Sequence, residues 1–227
     1  MKKIFAFTLA ETLIVMGVIG IVSALTLPNL NSSTGDKEKV AKVKKIYQNL
    51  NDAFGRAEAV YGPYSEWHIN DNTEQAKTKR TGERLAEFMK LSKDCSNSTN
   101  QSCMNNSGYD SNDKIYKFIL ADGASVAIDS PDSGSPILVD IDGPAKGSFA
   151  NGKDLFYFEL PTGNDSTMGI IPQGYNLSFN DLKGASRNSY GATWIIKYDN
   201  ADYLKLTDNN GTCQNGTTVT EANPRCK

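Results

Sequence analysis

The longest uninterrupted apolar stretch of the chain lies close to its N-terminus. Residues 13–27 contain no charged side chain, and counted from Phe7 the stretch is about 20 residues long. At a rise of about 1.5 Å per residue, a helix of that length spans the ~30 Å hydrocarbon core of a bilayer. A buried core helix is seldom so long and so uniformly apolar at the end of a domain. The pattern therefore predicts a membrane helix.

One carboxylate, Glu11, stands at the start of this stretch. A secretory signal peptide is the alternative interpretation, because Lys2 and Lys3 form a basic n-region and residues 22–24 (VSA) are small enough for signal peptidase, which would leave a chain beginning at Leu25. However, a carboxylate costs about 3 kcal/mol on insertion scales and gains nothing in a segment that is discarded. The glutamate therefore favours a helix that is kept.

A second helical pattern follows the apolar stretch, with residues 31–35 as the place for a bend. Apolar residues recur there in steps of four and three, which is typical of an amphipathic helix with one packed face. Gly62 and Pro63 mark its end. The stripe consists of Val43, Tyr47, Leu50, Phe54, Ala57 and Tyr61.

The cysteines fall in two pairs that are close in sequence and lie among Ser, Asn and Gly rather than at metal-ligand spacing. Local disulfides, Cys95 with Cys103 and Cys213 with Cys226, are the simplest of three pairings and favour a compartment outside the cytoplasm. We expect each bridge to contribute roughly 2–3 kcal/mol in the loop-entropy model.

The remainder of the chain reads as a short helix followed by a sheet. The helix is expected at residues 82–93 with Thr81 as its cap, and residues 95–113 are expected to form a loop. Strand signals occur in KIYKFIL, SVAID, PILVDI, DLFYFEL and TWIIKY, with turns at Asp122-Gly123 and Asp142-Gly143. A long helix and a small antiparallel sheet make an α+β fold.

The N-terminus resembles a type IV prepilin or a type II secretion pseudopilin. The likeness covers about the first 30 residues: the basic leader MKKIFA, then FTLAE, a long apolar run, and Pro28 where the family commonly has proline. A looser likeness to pseudopilin-like proteins covers about 20 residues, VDIDGPAKGSFANGKDLFYFEL, and favours type II secretion over a pilus fibre.

The resemblance implies that prepilin peptidase cuts between Ala6 and Phe7 and methylates the new N-terminus. It divides the chain into a leader (1–6), a transmembrane and assembly helix (7–30), its amphipathic continuation (31–62) and an exported α+β domain (63–227). Such a subunit is single-pass in the bacterial inner membrane, with its domain periplasmic or extracellular. Its partners are its own copies, other pseudopilins, the peptidase and an inner-membrane assembly platform.

Charge and helix geometry suggest a role for Glu11. After cleavage Phe7 carries a cationic amine, and Glu11 stands at i+4, so neighbouring subunits can pair ammonium with carboxylate. One observation opposes the expected placement of the domain outside the cytoplasm. Residues 37–45 are richer in lysine than the leader, which by the positive-inside rule places the bulk of the chain in the cytoplasm.

Other function classes have little support in the sequence. With 24 Lys+Arg against 26 Asp+Glu, the chain lacks the basic excess of a nucleic-acid binder. The one histidine, His68, is expected on the surface, and no catalytic motif surrounds it, so we expect no enzyme. We expect no cofactor either: Asp140, Asp142 and Asp154 are weak calcium candidates, but an Asp before a Gly is more often a turn former.

Overall fold

The structure, a computed structural model, describes residues 9–129, 136–147, 149–161 and 169–226, and for residues 23–34 and 136 only the backbone. Its helices are α1 (Leu9–Tyr61), α2 (Glu74–Ala86), α3 (Ser107–Asp110), α4 (Phe179–Leu182) and α5 (Gly191–Tyr198). The strands are β1 (Leu91–Ser96), β2 (Tyr116–Leu120), β3 (Ser125–Ile128), β4 (Pro136–Asp140), β5 (Leu155–Glu159) and β6 (Ile171–Pro172).

The first helix is continuous over 53 residues. Residues 31–35, where the sequence allows a bend, belong to this helix, and the bend itself stays a prediction. The end of the helix is confirmed, because α1 stops at Tyr61, and Gly62 follows with a φ of 84°. Pro63 then lies outside the helix, where its missing N–H is not needed.

The chain forms two compact units, one up to Glu38 and one from Lys39 onward, with the boundary inside α1. In the second unit, the predicted stripe of α1 packs on the sheet: Val43, Leu50, Phe54 and Ala57 are buried in the main core. Tyr47 is partly buried and stacks on Phe158 with ring centroids 5.9 Å apart.

The sheet is a six-stranded antiparallel meander in sequence order. Both predicted turns are confirmed, because Asp122-Gly123 joins β2 to β3, and Asp142-Gly143 directly follows β4. The two turns touch at their glycines. A Cβ on Gly143, whose φ is 70°, would lie 1.9 Å from the carbonyl oxygen of Gly123, so only glycine fits there.

Both faces of the sheet are covered. Alternate residues such as Phe118, Val126 and Val139 belong to the main core under α1. Their neighbours form a smaller core on the other face, where the segments around Met104 and Phe149 cover the sheet. The strand residues of that second core are Ala127, Leu138 and Leu155.

Three local predictions are wrong. The helix expected at residues 82–93 is α2, eight residues earlier, and Thr73 caps it by accepting a hydrogen bond from the N–H of Ala76. Residues 95–113 contain the end of β1 and α3 as well as loop. The expected strand TWIIKY is helix α5, which ends at Asp199 in the left-handed region (φ 55°).

The differences at α5 and α2 each have a physical reason. Short apolar runs fit a buried helix as well as a strand, and the first five residues of α5 are buried in the fold. The buried face of α2 consists of Thr78, Thr81, Gly82, Leu85 and Ala86, so its first two turns carry no apolar stripe that would mark them as helix. Gly82 is required there because a Cβ would lie 2.1 Å from the Tyr116 ring.

Among the residues that the structure describes, no helix is both long and apolar enough to cross a membrane. The α+β class with an antiparallel sheet is confirmed. The membrane half of the long helix is not supported by that search and stays a prediction.

One half-buried amide, that of Asn51, holds α1 to the segment before β6. The Asn51 side chain donates to the carbonyl of Ile170 (2.9 Å) and accepts from the Ile170 N–H (3.0 Å), as a neighbouring strand would. It also donates to the Tyr47 carbonyl within α1. The amide therefore satisfies both main-chain groups of a residue that is itself buried.

We expect Asn51→Ala to lower the free energy of unfolding by about 1–3 kcal/mol, because two buried main-chain groups lose their partner. Urea denaturation followed by tryptophan fluorescence measures this, since Trp67 and Trp194 are both buried. Asn49→Ala, at an exposed position of the same helix, is the matched control and should stay within about 0.5 kcal/mol. Equal effects of the two changes would contradict the assignment.

Candidate functional site

The N-terminal part of α1 exposes apolar side chains on every side. Leu9 is 80% exposed and Met16 74%, in a region with no residue classed as buried between positions 9 and 22. Glu11 lies in the first turn of the helix, and Thr12 bonds back to the Leu9 carbonyl at 2.9 Å. The exposed large apolar residues are Leu9, Leu13, Ile14, Val15, Met16, Val18, Ile19, Ile21 and Val22.

Of the three other residues predicted for processing or assembly, the structure describes only Pro28, and only its backbone. Ala6 and Phe7 lie outside the described residues. Pro28 lies within the helical backbone of α1. The i+4 relation of Phe7 and Glu11 therefore stays a prediction.

Both predicted disulfides are present, Cys95 with Cys103 and Cys213 with Cys226. The first closes the loop that covers the second face of the sheet. Seven residues after the bridge, the Asp110 carboxylate accepts from the N–H groups of Cys103 and Met104 (both 2.9 Å) and of Asn106 (3.0 Å). Burial raises the pKa of Asp110, but these N–H donors outweigh burial and the net pKa is lowered.

A buried lysine completes this loop. Lys117, on β2, has no exposed surface and donates to the carbonyls of Tyr109 (3.1 Å), Asp110 (3.4 Å) and Asn112 (2.9 Å). Burial lowers the pKa of its ammonium. The sequence carries no signal for this role, because a lysine between Tyr116 and Phe118 looks like the polar side of an edge strand.

The second disulfide fixes the C-terminal segment. Asp202 accepts from the Cys226 N–H at 2.9 Å and pairs with Lys205 at 2.6 Å. Both bridges thus work with a neighbouring carboxylate that bonds main-chain N–H groups. These are structural contacts, and they define no cleft.

The calcium candidates do not form a metal cluster. In the parts of the chain that the structure describes, no three His, Cys, Asp or Glu side chains come together as ligands. Asp142 pairs with Lys42 (3.5 Å) and Lys146 (3.9 Å). Asp154 accepts from the Ala150 N–H.

Asp140 is the exception among these three, because it is 2% exposed. One oxygen accepts from the Asp142 N–H at 3.1 Å. The other oxygen is buried without a hydrogen-bond partner, as is the hydroxyl of Ser125, which stands opposite Asp140 in the β3–β4 register. Burial raises the pKa of the Asp140 carboxyl, and Asp154 and Asp142 add to the effect by repulsion.

A Thr-His-Asp arrangement occurs but has no accessible nucleophile. Thr81 Oγ1 lies 3.2 Å from His68 Nε2, and His68 Nδ1 lies 3.6 Å from Asp71 Oδ2. Thr81 has no exposed surface, so no substrate reaches it. The expectation that His68 lies on the surface is wrong, because its side chain is only 16% exposed.

The lysines that follow the apolar stretch are engaged with the domain. Each ion pair lies at the surface and contributes about 0–1 kcal/mol. The pairs are Lys42 with Asp142 (3.5 Å), Lys44 with Asp199 (2.6 Å) and Lys45 with Asp122 (3.1 Å). These three lysines thus form ion pairs within the domain, which the positive-inside rule does not take into account.

Comparisons with protein-family models, with curated proteins and with solved structures found no match for this chain.

We expect Asp140→Asn to stabilise the protein relative to wild type more at pH 7 than at pH 4. A carboxyl whose folded pKa is raised loses stability as pH rises through the folded value, whereas Asn keeps the acceptor oxygen and never ionises. Urea denaturation of both proteins at the two pH values measures the difference.

Asp142→Asn is the control for this prediction. It removes only a half-exposed partner of Lys42, so its effect should stay within about 1 kcal/mol. A stability difference for Asp140→Asn that is unchanged or larger at pH 4 would show that the buried carboxylate is well accommodated.

Proposed function

We propose that this protein is a structural subunit of a type II secretion pseudopilus that polymerises through the N-terminal part of α1 and supports protein export. The observation that carries the proposal is the exposed apolar surface of residues 9–22, with one carboxylate in the first helical turn. In the proposal, prepilin peptidase cuts between Ala6 and Phe7 and methylates Phe7, and the protein acts mechanically rather than as an enzyme.

The apolar surface supports assembly on energetic grounds. Burying a Leu, Ile, Val or Met side chain stabilises by about 1.5–3 kcal/mol relative to leaving it in water. Contiguous apolar surface of this kind on a protein marks a binding site or a membrane contact. Insertion in the inner membrane before assembly, and contact with neighbouring subunits after it, would each remove this surface from water.

The position of Glu11 supports pairing with a chain end. A lone carboxylate within apolar surroundings is strongly disfavoured, whereas a paired one recovers much of the cost and fixes the register of packed helices. Cleavage would create a cationic amine on Phe7, four residues before Glu11. Other pseudopilins and the inner-membrane platform are the partners that this mode of assembly requires.

The sheet supports helix-mediated rather than strand-mediated assembly. Its edge strand β1 has register irregularities between Leu91 and Lys93 and between Asp94 and Ser96. The opposite edge, β6, has two residues. Irregular and very short edges disfavour pairing with a strand of another chain, so the sheet is a poor polymerisation surface.

Two alternatives make different predictions. A type IV pilus subunit for adhesion, motility or DNA uptake shares every feature above, and genes adjacent to this one distinguish it from a pseudopilin.

A secreted or membrane-anchored binding domain would use the N-terminus only for targeting. The 530 Å³ cleft beside Phe88 and Met89 is the observation that favours it, although the cleft is rimmed by paired charges such as Lys45 and Asp122.

We expect mass spectrometry of the protein isolated from its native membrane to find a methylated Phe7 as the first residue. An N-terminus at Leu25 would instead show signal-peptidase cleavage and support the secreted alternative. An uncleaved chain would contradict processing by prepilin peptidase.

We expect Glu11→Gln to abolish filament formation or reduce it at least about tenfold, because the amine of Phe7 loses its counter-charge. Electron microscopy and subunit crosslinking in cells measure assembly. Glu38→Gln makes the same chemical change on the same helix outside the apolar stretch and should assemble normally. Wild-type yields of filaments with Glu11→Gln would refute the pairing.

A further inference from the structure

His68 is the only histidine of the chain. It lies in the connection between α1 and α2, directly after a short 3₁₀ helix (Tyr64–Glu66) and Trp67. Its ring packs edge-on against Tyr64 with centroids 5.4 Å apart. Trp67 anchors the same connection, because it is buried and its indole N–H donates to the Gly62 carbonyl at 2.8 Å.

The two ring nitrogens are in different situations. Nε2 lies 3.2 Å from the hydroxyl of Thr81, which is on α2 and fully buried. Nδ1 is also out of contact with water but has no hydrogen-bond partner. Asp71 Oδ2 lies 3.6 Å from Nδ1, too far for a hydrogen bond.

That acceptor is already engaged. Arg80 Nε donates to Asp71 Oδ2 at 2.6 Å, and Arg80 Nη2 donates to Asp71 Oδ1 at 2.9 Å. A bidentate guanidinium–carboxylate pair of this kind is strong and geometrically rigid. A protonated His68 ring would place one more donor beside a carboxylate that already accepts both hydrogen bonds of Arg80, and Nδ1 would have to move closer than 3.6 Å to bond it.

The charges facing His68 come from two elements. Asp71, on the connection itself, is the one anion that favours a charged ring, and α2 contributes the cations Lys77, Arg80 and Arg84. Arg84 stacks over the rings of Tyr61 and Trp67 at 4.6 and 5.1 Å. An added positive charge on His68 would therefore meet a site that is already cationic on its α2 side.

We propose that His68 is a pH-sensitive latch: its neutral ring closes the connection of residues 62–73 onto α2, and binding a proton in mild acid loosens it. The proton gives the ring a second N–H donor in a half-buried site, beside an Asp71 carboxylate that Arg80 already holds. The inference concerns the folded domain and does not rest on the proposed function.

The direction of the effect follows from linkage. Burial lowers the pKa of the His68 ring, and Lys77 and Arg84 contribute to the lowering, while Asp71 opposes it. A histidine whose folded pKa lies below its unfolded value of about 6.5 leaves stability intact above that pH. Stability is lost as pH falls from about 6.5 toward the folded pKa.

The first measurement uses the full-length protein in detergent micelles. Because the chain has one imidazole, its Cε1–H signal in a proton NMR titration belongs to His68 without assignment. We expect a midpoint below about 6.5. A midpoint at or above that value would overturn the proposal, since the ring would then be more easily charged in the fold than in the unfolded chain.

The second measurement locates the loosening. We expect hydrogen exchange in residues 62–73, corrected for its intrinsic pH dependence, to become more than about twofold faster between pH 7.5 and 5.5 in wild type. His68→Gln keeps a polar contact with Thr81 and does not titrate, so its exchange should not change. A pH response of equal size in His68→Gln, or none in wild type, would overturn the latch.

Discussion

The packing of one stripe of α1 on the sheet is the contact on which the domain depends. Leu50, Phe54 and Ala57 have essentially no exposed surface, and they face the alternating apolar residues of the central strands. Asn51 continues this contact with polar groups by bonding both main-chain atoms of Ile170. The stripe lies in the part of α1 that follows Lys39. The second unit of the chain, which begins at Lys39, therefore contains its own core.

The second face of the sheet is stabilised by different means. Its apolar core is small, and the loop that covers it is rich in Ser and Asn, so hydrophobic burial alone gives little stability there. A disulfide, the N–H groups around the Asp110 carboxylate and the carbonyls around the Lys117 ammonium replace a larger core. Such a buried charge is tolerated only because its hydrogen bonds are made.

Periodicity in the sequence was sufficient for the parts of the fold that bury apolar residues regularly. It predicted the stripe of α1 except for Tyr61, which is exposed, and it predicted the strands β2 to β5, two of their turns and the local cysteine pairs. It was wrong for the start of α2, where the buried residues are Thr and Gly before Leu85, and for α5, where Trp194 and its neighbours have strand propensity but are buried in the core. The environment of His68 could not be predicted either, because Arg80 and Thr81 reach it only through the tertiary position of α2.

The distribution of apolar surface separates the two parts of α1. From Lys39 onward both faces of the sheet are covered, and its edge strands are short or irregular. Association through the sheet is therefore disfavoured. Residues 9–22 have the opposite character, with large apolar side chains that the described structure leaves exposed. Contiguous apolar surface of this kind is typical of a binding site or a membrane contact. In the proposed subunit these side chains contact lipid before assembly and neighbouring helices after it.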